Sequence, residues 1–186
     1  YCYVSCYGGI SIMSELRTNR IVPRDGLPAS ADGGGIIQIV QGSTTSRVAT
    51  GSNTFQATNL SATITPSSAS SKIYITLGGD ANNNGTANYL YMTYYRSIGG
   101  GTFTNIAPNG PNDSSSADQN YGFAMVYGAN SRIHVPVAMP YLDSPSTTSP
   151  VEYKVYIRMN SGSGTVEFPA NNGYQAARMF LYEVSA

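Results

Sequence analysis

The chain has 186 residues, a length that favours one domain and allows a sizeable buried core. Charged side chains make up only 11% of it, ten basic and ten acidic, so the formal net charge is zero. This balance gives no electrostatic basis for binding nucleic acid or an anionic membrane. No stretch approaches the roughly 20 apolar residues of a membrane-spanning helix. The abundant tyrosine and small polar residues fit a β protein with hydroxyls on its wet faces, or a chain that hides surface in an oligomer.

The first twelve residues are largely apolar and contain both cysteines of the chain, Cys2 and Cys6. They lack the basic region and the small-residue cleavage site of a signal peptide. Met13 resembles a natural start, so residues 1–12 are an extension, a processed remnant or a reading-frame artefact, and the sequence leaves these alternatives open. The two thiols form no CxxC pair and are interpreted as incidental.

Residues 13–32 are predicted to form an extended arm, because two prolines prevent a long helix. The arm is either a disordered tail or a segment that docks onto a partner or onto copies of itself. Its spaced aliphatic side chains favour docking. The glycine-rich run that follows is typical of a flexible joint. We therefore divide the chain into an attachment arm with its joint at 1–35 and a globular head at 36–186.

The head alternates between short apolar runs and turns rich in Gly, Ser, Asn and Pro. Runs in which apolar and polar residues alternate are typical of strands with one buried face. Such runs predict strands at 36–41, 55–64, 72–77, 88–96, 102–106, 121–127, 132–142, 151–159, 165–168 and 177–184. With no convincing helix, about eight to ten short strands predict an all-β fold, an antiparallel β-sandwich or jelly roll.

Several features predict the positions of individual strands. The residues of 151–159 alternate strictly, and the turn after them predicts a hairpin with 165–168. Pro136 and Pro140 share one parity, which predicts an edge strand or one broken by a bulge. The final strand runs almost to the last residue, which predicts that it is held inside a sheet. The polar run 78–85 is predicted to be a loop without core residues.

The sequence carries no pattern that supports catalysis. His134 is the single histidine, and no nucleophile motif lies near it. Phosphate-binding, hydrolase and metalloprotease motifs are absent from the sequence. The acidic and amide residues at 112–120 lack the spacing of a calcium loop. We predict a protein that is not an enzyme and uses no cofactor or metal, and the scarcity of paired carboxylates argues against a glycan-degrading enzyme.

Glycan recognition is the sharper alternative to purely structural loops. Sugars bind to aromatic faces flanked by amide and carboxylate groups, and Tyr and Asn are frequent at 80–89, 109–121 and 171–174. Tyr is also common in strands and Asn in turns, so simple structural loops remain the other interpretation. The candidate surface-binding residues are Asn83, Asn84, Asn112, Asp113, Asp118, Tyr121, Asn172 and Tyr174.

Three parts of the chain resemble bacteriophage tail-fibre and virion-appendage proteins. The arm at 13–27 (MSELRTNRIVPRDGL) is similar to a segment near the start of many such proteins. Residues 34–41 (GGIIQIVQ) and 64–73 (ITPSSASSKI) resemble the opening of their globular domain. Residues 142–155 (LDSPSTTSPVEYKV) and the closing 180–184 (FLYEV) resemble its end. The resemblance spans nearly all of 13–186, and residues 1–12 depart from it.

The resemblance implies a structural virion protein assembled in the host cytoplasm. Its arm would attach to other virion proteins, and its head would contact the host surface, including a host glycan, through the loop residues given above. It also implies a homotrimer, which fits the low charge and the small residues Gly122 and Ala124 on one strand face. The alternative is a decoration or spike protein of the phage head without a receptor role. The candidate attachment residues are Leu16, Arg17, Arg20, Ile21 and Val22.

Overall fold

In the computed structural model, the described residues form twelve β-strands and no helix. The described residues are 35–85, 88–107, 122–128, 132–160, 163–170 and 176–185. Among these residues there is no helix long and apolar enough to cross a membrane. The predicted arm, with both cysteines, lies outside them. The strands are β1 (Ile36–Thr44), β2 (Val48–Thr50), β3 (Gln56–Ile64), β4 (Lys72–Asn83), β5 (Asn88–Ile98), β6 (Thr104–Asn105), β7 (Ala124–Gly128), β8 (Ile133–Ala138), β9 (Tyr141–Asp143), β10 (Val151–Met159), β11 (Val166–Phe168) and β12 (Ala177–Val184).

These strands pair antiparallel in two sheets. The seven-stranded sheet is built on the long strand β4. On one side of β4, β12 and β11 pair with different parts of it, and β1 and β2 then pair with β12 and β11 respectively. On the other side of β4 lie β8 and β9. In the five-stranded sheet, β10 lies between β3 and β5, and β6 and β7 pair with the far side of β5. The sheets pack face to face around one core, which confirms the predicted antiparallel β-sandwich. The strands outnumber the predicted eight to ten because β2 lies outside the predicted runs and the predicted strand at 132–142 is divided into β8 and β9.

The core lies between the sheets and follows from the alternation of apolar and polar residues. In β10 every second residue from Val151 to Met159 is buried, as the sequence predicts. β12 repeats the pattern, with Ala177, Met179 and Leu181 turned inward. Burying one large aliphatic side chain stabilises the fold by about 1.5–3 kcal/mol, so these central strands carry much of its stability.

Two predicted strand positions are confirmed. β12 lies between β1 and β4, so the last strand is held inside its sheet. Within the described residues β8 and β9 pair only with β4, so they form an edge. Pro136 lies within β8, and Pro140 lies in the break between β8 and β9. Proline lacks the N–H that a central strand needs, which explains both the edge position and the break.

The predicted hairpin between 151–159 and 165–168 is wrong. β10 belongs to the five-stranded sheet, whereas β11 pairs with β2 and β4 in the other sheet. The chain therefore crosses between the sheets here. Gly164 permits the crossing, because its φ is +109° and an added Cβ would lie 2.6 Å from the Asn84 carbonyl oxygen. A turn pattern in the sequence does not reveal which sheet the next strand joins.

The polar run 78–85 is also not the loop predicted from its sequence. β4 continues to Asn83, and Asn82 and Asn83 are fully buried. The side chain of Asn83 donates to the Val126 carbonyl at 3.0 Å and accepts from the Gly85 N–H at 3.0 Å. A buried strand tolerates asparagine when its amide is hydrogen-bonded, and these tertiary bonds override the local turn preference.

A buried ionic network joins the two sheets. Arg96 of β5 donates to both carboxylate oxygens of Asp143 in β9, at 2.9 and 2.7 Å. The Tyr153 hydroxyl of β10 donates to the same carboxylate at 2.7 Å. Nearby, the Tyr94 hydroxyl donates to the Met139 carbonyl at 2.6 Å. Burial, and secondly the negative charge of Asp143, raises the pKa of Tyr153. The Tyr153 hydroxyl therefore keeps its proton and remains a hydrogen-bond donor to the carboxylate.

Glu183 makes a second buried network at the end of β12. Its carboxylate accepts the Ser67 backbone N–H and hydroxyl at 2.7 and 2.6 Å, and the Gln38 side-chain amide at 2.5 Å. Burial alone would raise the pKa of this carboxyl. The hydrogen bonds donated by Ser67 and Gln38 outweigh burial, and the pKa falls from its ordinary value of 4.5 to about 2.

This lowered pKa predicts an acid-dependent loss of stability. The Glu183 carboxyl binds protons more weakly in the folded chain than in the unfolded chain, so its contribution is complete above pH 4.5. That contribution should disappear as the pH falls from about 4.5 to about 2. Urea unfolding between pH 2 and 7 should show a shallower acid decline for Glu183→Gln than for the wild type. Equal slopes for the two proteins would contradict the assignment.

Candidate functional site: the tyrosine face of the five-stranded sheet

The structure places only two of the predicted surface-binding residues. Asn83 is fully buried, so its prediction as a surface contact is wrong. Asn84 is exposed at the end of β4, where its backbone N–H donates to the Thr165 carbonyl at 2.9 Å. The six other loop residues and the five attachment residues lie outside the described residues. They are Asn112, Asp113, Asp118, Tyr121, Asn172 and Tyr174, and Leu16, Arg17, Arg20, Ile21 and Val22.

The outer face of the five-stranded sheet gathers aromatic side chains that are far apart in sequence. Alternation along β5 turns Leu90, Met92 and Tyr94 into the core and the intervening tyrosines outward. Strand register then sets further tyrosines beside them, since Tyr127 of β7 pairs with Tyr89 and Tyr156 of β10 neighbours Tyr95 diagonally. We call this surface the tyrosine face, and it consists of Tyr89, Tyr91, Tyr95, Tyr127 and Tyr156.

Ring contacts make the tyrosine face nearly continuous. The rings of Tyr89 and Tyr127 lie 4.8 Å apart between centroids, and those of Tyr89 and Tyr91 lie 5.8 Å apart. At the other end Tyr95 and Tyr156 stack at 3.9 Å with an interplanar angle of 21°. Such pairs contribute about 0.5–1.5 kcal/mol each beyond the area they bury. The rings are thus held in place before any ligand arrives.

Two cations and two phenylalanines complete the surface. The Arg158 guanidinium lies 4.5 Å from the Tyr91 ring centroid and 5.1 Å from the Phe55 ring centroid. Arg158 therefore connects the two ends of the face. The Lys154 ammonium lies 4.9 Å from the Phe103 ring centroid. Arg158 is only 6% exposed and also donates to the Asn53 carbonyl at 3.3 Å. These cation–π contacts fix the two charges over the faces of the rings.

The accessible end of the tyrosine face lies at β7. Tyr127 is 49% exposed and Met125 is 58% exposed, whereas Tyr91 is covered. Both exposed side chains also border an open groove of about 410 Å³ between β7 and β8. The opposite wall of the groove is apolar and includes Val135 and Pro136. The volume of this groove lies within the range of about 300–1,000 Å³ that small-molecule sites have.

The titratable side chains of His134 and Glu167 both lie on strands of the seven-stranded sheet. His134 is exposed on β8, where it pairs in register with Asn82. No cluster of three or more metal-ligating side chains occurs in the described part of the chain. Glu167 is buried and accepts hydrogen bonds from Arg47 at 2.8 Å and Arg132 at 3.1 Å, so its carboxylate is used in ion pairs.

Three of the five residues of the tyrosine face could be grouped from the sequence. Tyr89, Tyr91 and Tyr95 have the same parity in one predicted strand, which indicates a common face. Their partners on β7 and β10 join them only through strand register, which no local pattern encodes. The surface-binding residues predicted from the sequence were instead mainly asparagines and tyrosines in loops.

Comparison with known proteins identifies no relative. No protein-family model matches the chain, and no curated protein matches it.

Proposed function

We propose that this protein is a structural bacteriophage protein, a tail fibre or fibre-like appendage, whose β-sandwich head attaches to a glycan on the host surface. In this proposal the head has no enzymatic role, the chain assembles as a homotrimer in the virion, and residues 1–35 attach it to other virion proteins. The observation that supports host binding best is the contact between the exposed Tyr127 ring, which borders an open groove, and the half-buried Tyr89 ring.

The chemistry of the tyrosine face suits a sugar. One face of a pyranose ring presents C–H groups that pack against an aromatic ring, while its hydroxyls need hydrogen-bonding partners at the rim. Tyrosine supplies both a flat ring and a hydroxyl. Because the rings already contact one another, binding would immobilise few side chains and cost little ordering entropy. The low charge of the chain makes recognition through phosphate or sulfate groups alone a poorer fit.

Truncating the exposed ring should weaken glycan binding. Tyr127→Ala removes one stacking platform, so its affinity for a bacterial surface polysaccharide should fall about tenfold, the equivalent of about 1.4 kcal/mol. The measurement is biolayer interferometry of the full chain against a panel of immobilised bacterial lipopolysaccharides and capsular polysaccharides.

The matched control for this variant is His134→Ala, an exposed ring on the other sheet. Its affinity should equal that of the wild type, and thermal unfolding should show that both variants are folded. Equal affinity of Tyr127→Ala and the wild type, or no binding of the wild type across the panel, would count against the proposal.

A second candidate function is decoration of the phage head without a receptor role. The observation that favours it is an exposed apolar row on the outer face of the seven-stranded sheet, formed by Ile39, Tyr182, Tyr74 and Leu142. Such a surface suits packing against protein. Electron microscopy of phage particles separates the two functions, because it locates the chain at the tail or on the capsid lattice.

A further inference from the structure

The apolar row crosses four strands in register. Ile39 of β1 pairs with Tyr182 of β12, Tyr182 pairs with Tyr74 of β4, and Tyr74 pairs with Leu142 of β9. Ile39 is 57% exposed, Leu142 is 49% exposed and Tyr74 is 38% exposed. Exposed apolar side chains are normal singly, but a contiguous row across a sheet marks an interaction surface.

Strand β1 adds an open backbone edge to this row. Among the described strands it pairs only with β12, and its nine residues (IIQIVQGST) include no charge and no proline. Ile36 and Ile37 extend the apolar surface along it, at 60% and 50% exposed. The edge formed by β8 and β9, by contrast, is interrupted by Pro136 and Pro140. A long uncharged edge without proline, whose one register shift lies at its start between Ile36 and Gln38, offers its backbone for pairing with another chain.

The charges near the row point to a protein partner. The acidic residues next to it in sequence, Asp143 and Glu183, are buried and already accept hydrogen bonds from Arg96 and Gln38. Lys72 and Arg178 are exposed on the same outer face, at the two ends of the β4–β12 pairing, and the row between them carries no charge. An apolar row of this kind is buried most favourably against another apolar surface. A polysaccharide or a nucleic acid would leave these isoleucine and leucine side chains without apolar partners.

The size of the surface suits association between copies of the chain. Strands β1, β12 and β4 at about 4.8 Å spacing form a face roughly 14 Å wide and about 30 Å long, and β9 adds only three residues, which gives roughly 480 Å² if the face is treated as flat. A stable interface buries about 800 Å² per partner, so this face supplies more than half of that area, and pairing along the β1 edge would add to it. A second copy offers the same apolar row and the same open edge, and copies of one chain are always present together.

We propose that the outer face of the seven-stranded sheet, from β1 to β9, is the interface between copies of this chain. This places the self-association of the proposed function on one surface and leaves the tyrosine face, on the opposite side of the sandwich, open to ligand. The inference rests on the self-association in that proposal and is independent of glycan binding.

Substitution on the apolar row should separate the copies. The full-length wild type, whose monomer mass is 19.7 kDa, should sediment at about three times that mass at about 20 µM, as the homotrimer of the proposed function requires. Ile39→Glu places a charge at the β1 end of the proposed interface, so its dissociation constant should rise at least tenfold and the monomer should become the main species. Met125→Glu is the matched control, because Met125 is equally exposed on the other sheet, and its mass should stay that of the wild type.

A second variant distinguishes loss of the interface from a folding defect in Ile39→Glu. Leu142→Lys lies at the far end of the row, on a different strand, and should dissociate the assembly in the same way. Circular dichroism should show that all variants keep the β fold. If the wild type is an oligomer and both row variants keep its mass, the interface is elsewhere and glycan binding is unaffected. A monomeric wild type would overturn both this inference and the proposed self-association.

Discussion

Replacing Asp143 with alanine should lower the free energy of unfolding by about 3–5 kcal/mol, the largest loss we expect from a single side chain. The carboxylate is the common acceptor for Arg96 and for the Tyr153 hydroxyl, and it is nearly buried. Alanine would leave a cation and a hydroxyl without their acceptor between two packed sheets. For a chain of this size the melting temperature should fall by about 10 °C.

Two control variants identify the source of this loss. Tyr153→Phe removes one hydrogen bond but leaves the ion pair, so it should cost about 1 kcal/mol. Glu152→Gln removes a partly exposed pair, in which the Lys154 ammonium lies 3.4 Å from the carboxylate, so it should cost at most about 1 kcal/mol. Urea unfolding of the three variants measures all these values. Equal losses for Asp143→Ala and Glu152→Gln would refute the role of the buried network.

Gly122→Ala should be the second most damaging change, at about 3 kcal/mol or more. Gly122 has φ +81°, and an added Cβ would lie 2.1 Å from the Met92 carbonyl oxygen. That carbonyl accepts the Phe123 N–H at 2.8 Å, so the clash would also disturb the bond that starts β7 on β5. Gly122, whose small size was interpreted as fitting a homotrimer, therefore lies against its own chain.

Gly100→Ala separates backbone strain from this clash. Gly100 has φ +77°, but an added Cβ would meet nothing within 4 Å. It should therefore cost only the conformational penalty, about 1–2 kcal/mol. Chemical denaturation of both variants gives the difference, which is the cost of the clash. A loss for Gly122→Ala no larger than that for Gly100→Ala would mean that β7 shifts freely.

The sequence predicts the fold class well because alternation is a local signal. β10 and β12 could be assigned, with their buried faces, from the order of apolar and polar residues alone. The edge position of the strand with Pro136 could also be predicted, because a missing N–H has the same consequence in every sheet. These features depend on a residue and its immediate neighbours.

Features that depend on distant partners were mispredicted. The Asn82 and Asn83 end of β4 was predicted as a loop because asparagine favours turns, yet Asn83 is bonded to Val126 far along the chain. The step from β10 to β11 was predicted as a hairpin because nothing local distinguishes a turn within one sheet from a crossing between two. The candidate site shows the same limit, since Tyr127 and Tyr89 meet only after β7 pairs with β5.

The two outer faces of the sandwich suggest a division of roles. One combines stacked tyrosines with fixed cations and an adjoining groove, and the other is apolar with an open strand edge. In our proposals the first face meets the host glycan and the second meets another copy of the chain. Placing the two roles on opposite faces would let the copies assemble without covering the ligand surface.

The central claim, that the tyrosine face contacts a host-surface glycan, is tested most directly by NMR of the full chain with isotope-labelled tyrosine rings. The spectrum would be recorded with and without a polysaccharide that the chain binds in the panel. We expect the ring signals of Tyr89 and Tyr127 to shift, while those of Tyr74 and Tyr182 on the opposite face stay unchanged. Shifts confined to Tyr74 and Tyr182, or no tyrosine shifts with a bound polysaccharide, would contradict the claim.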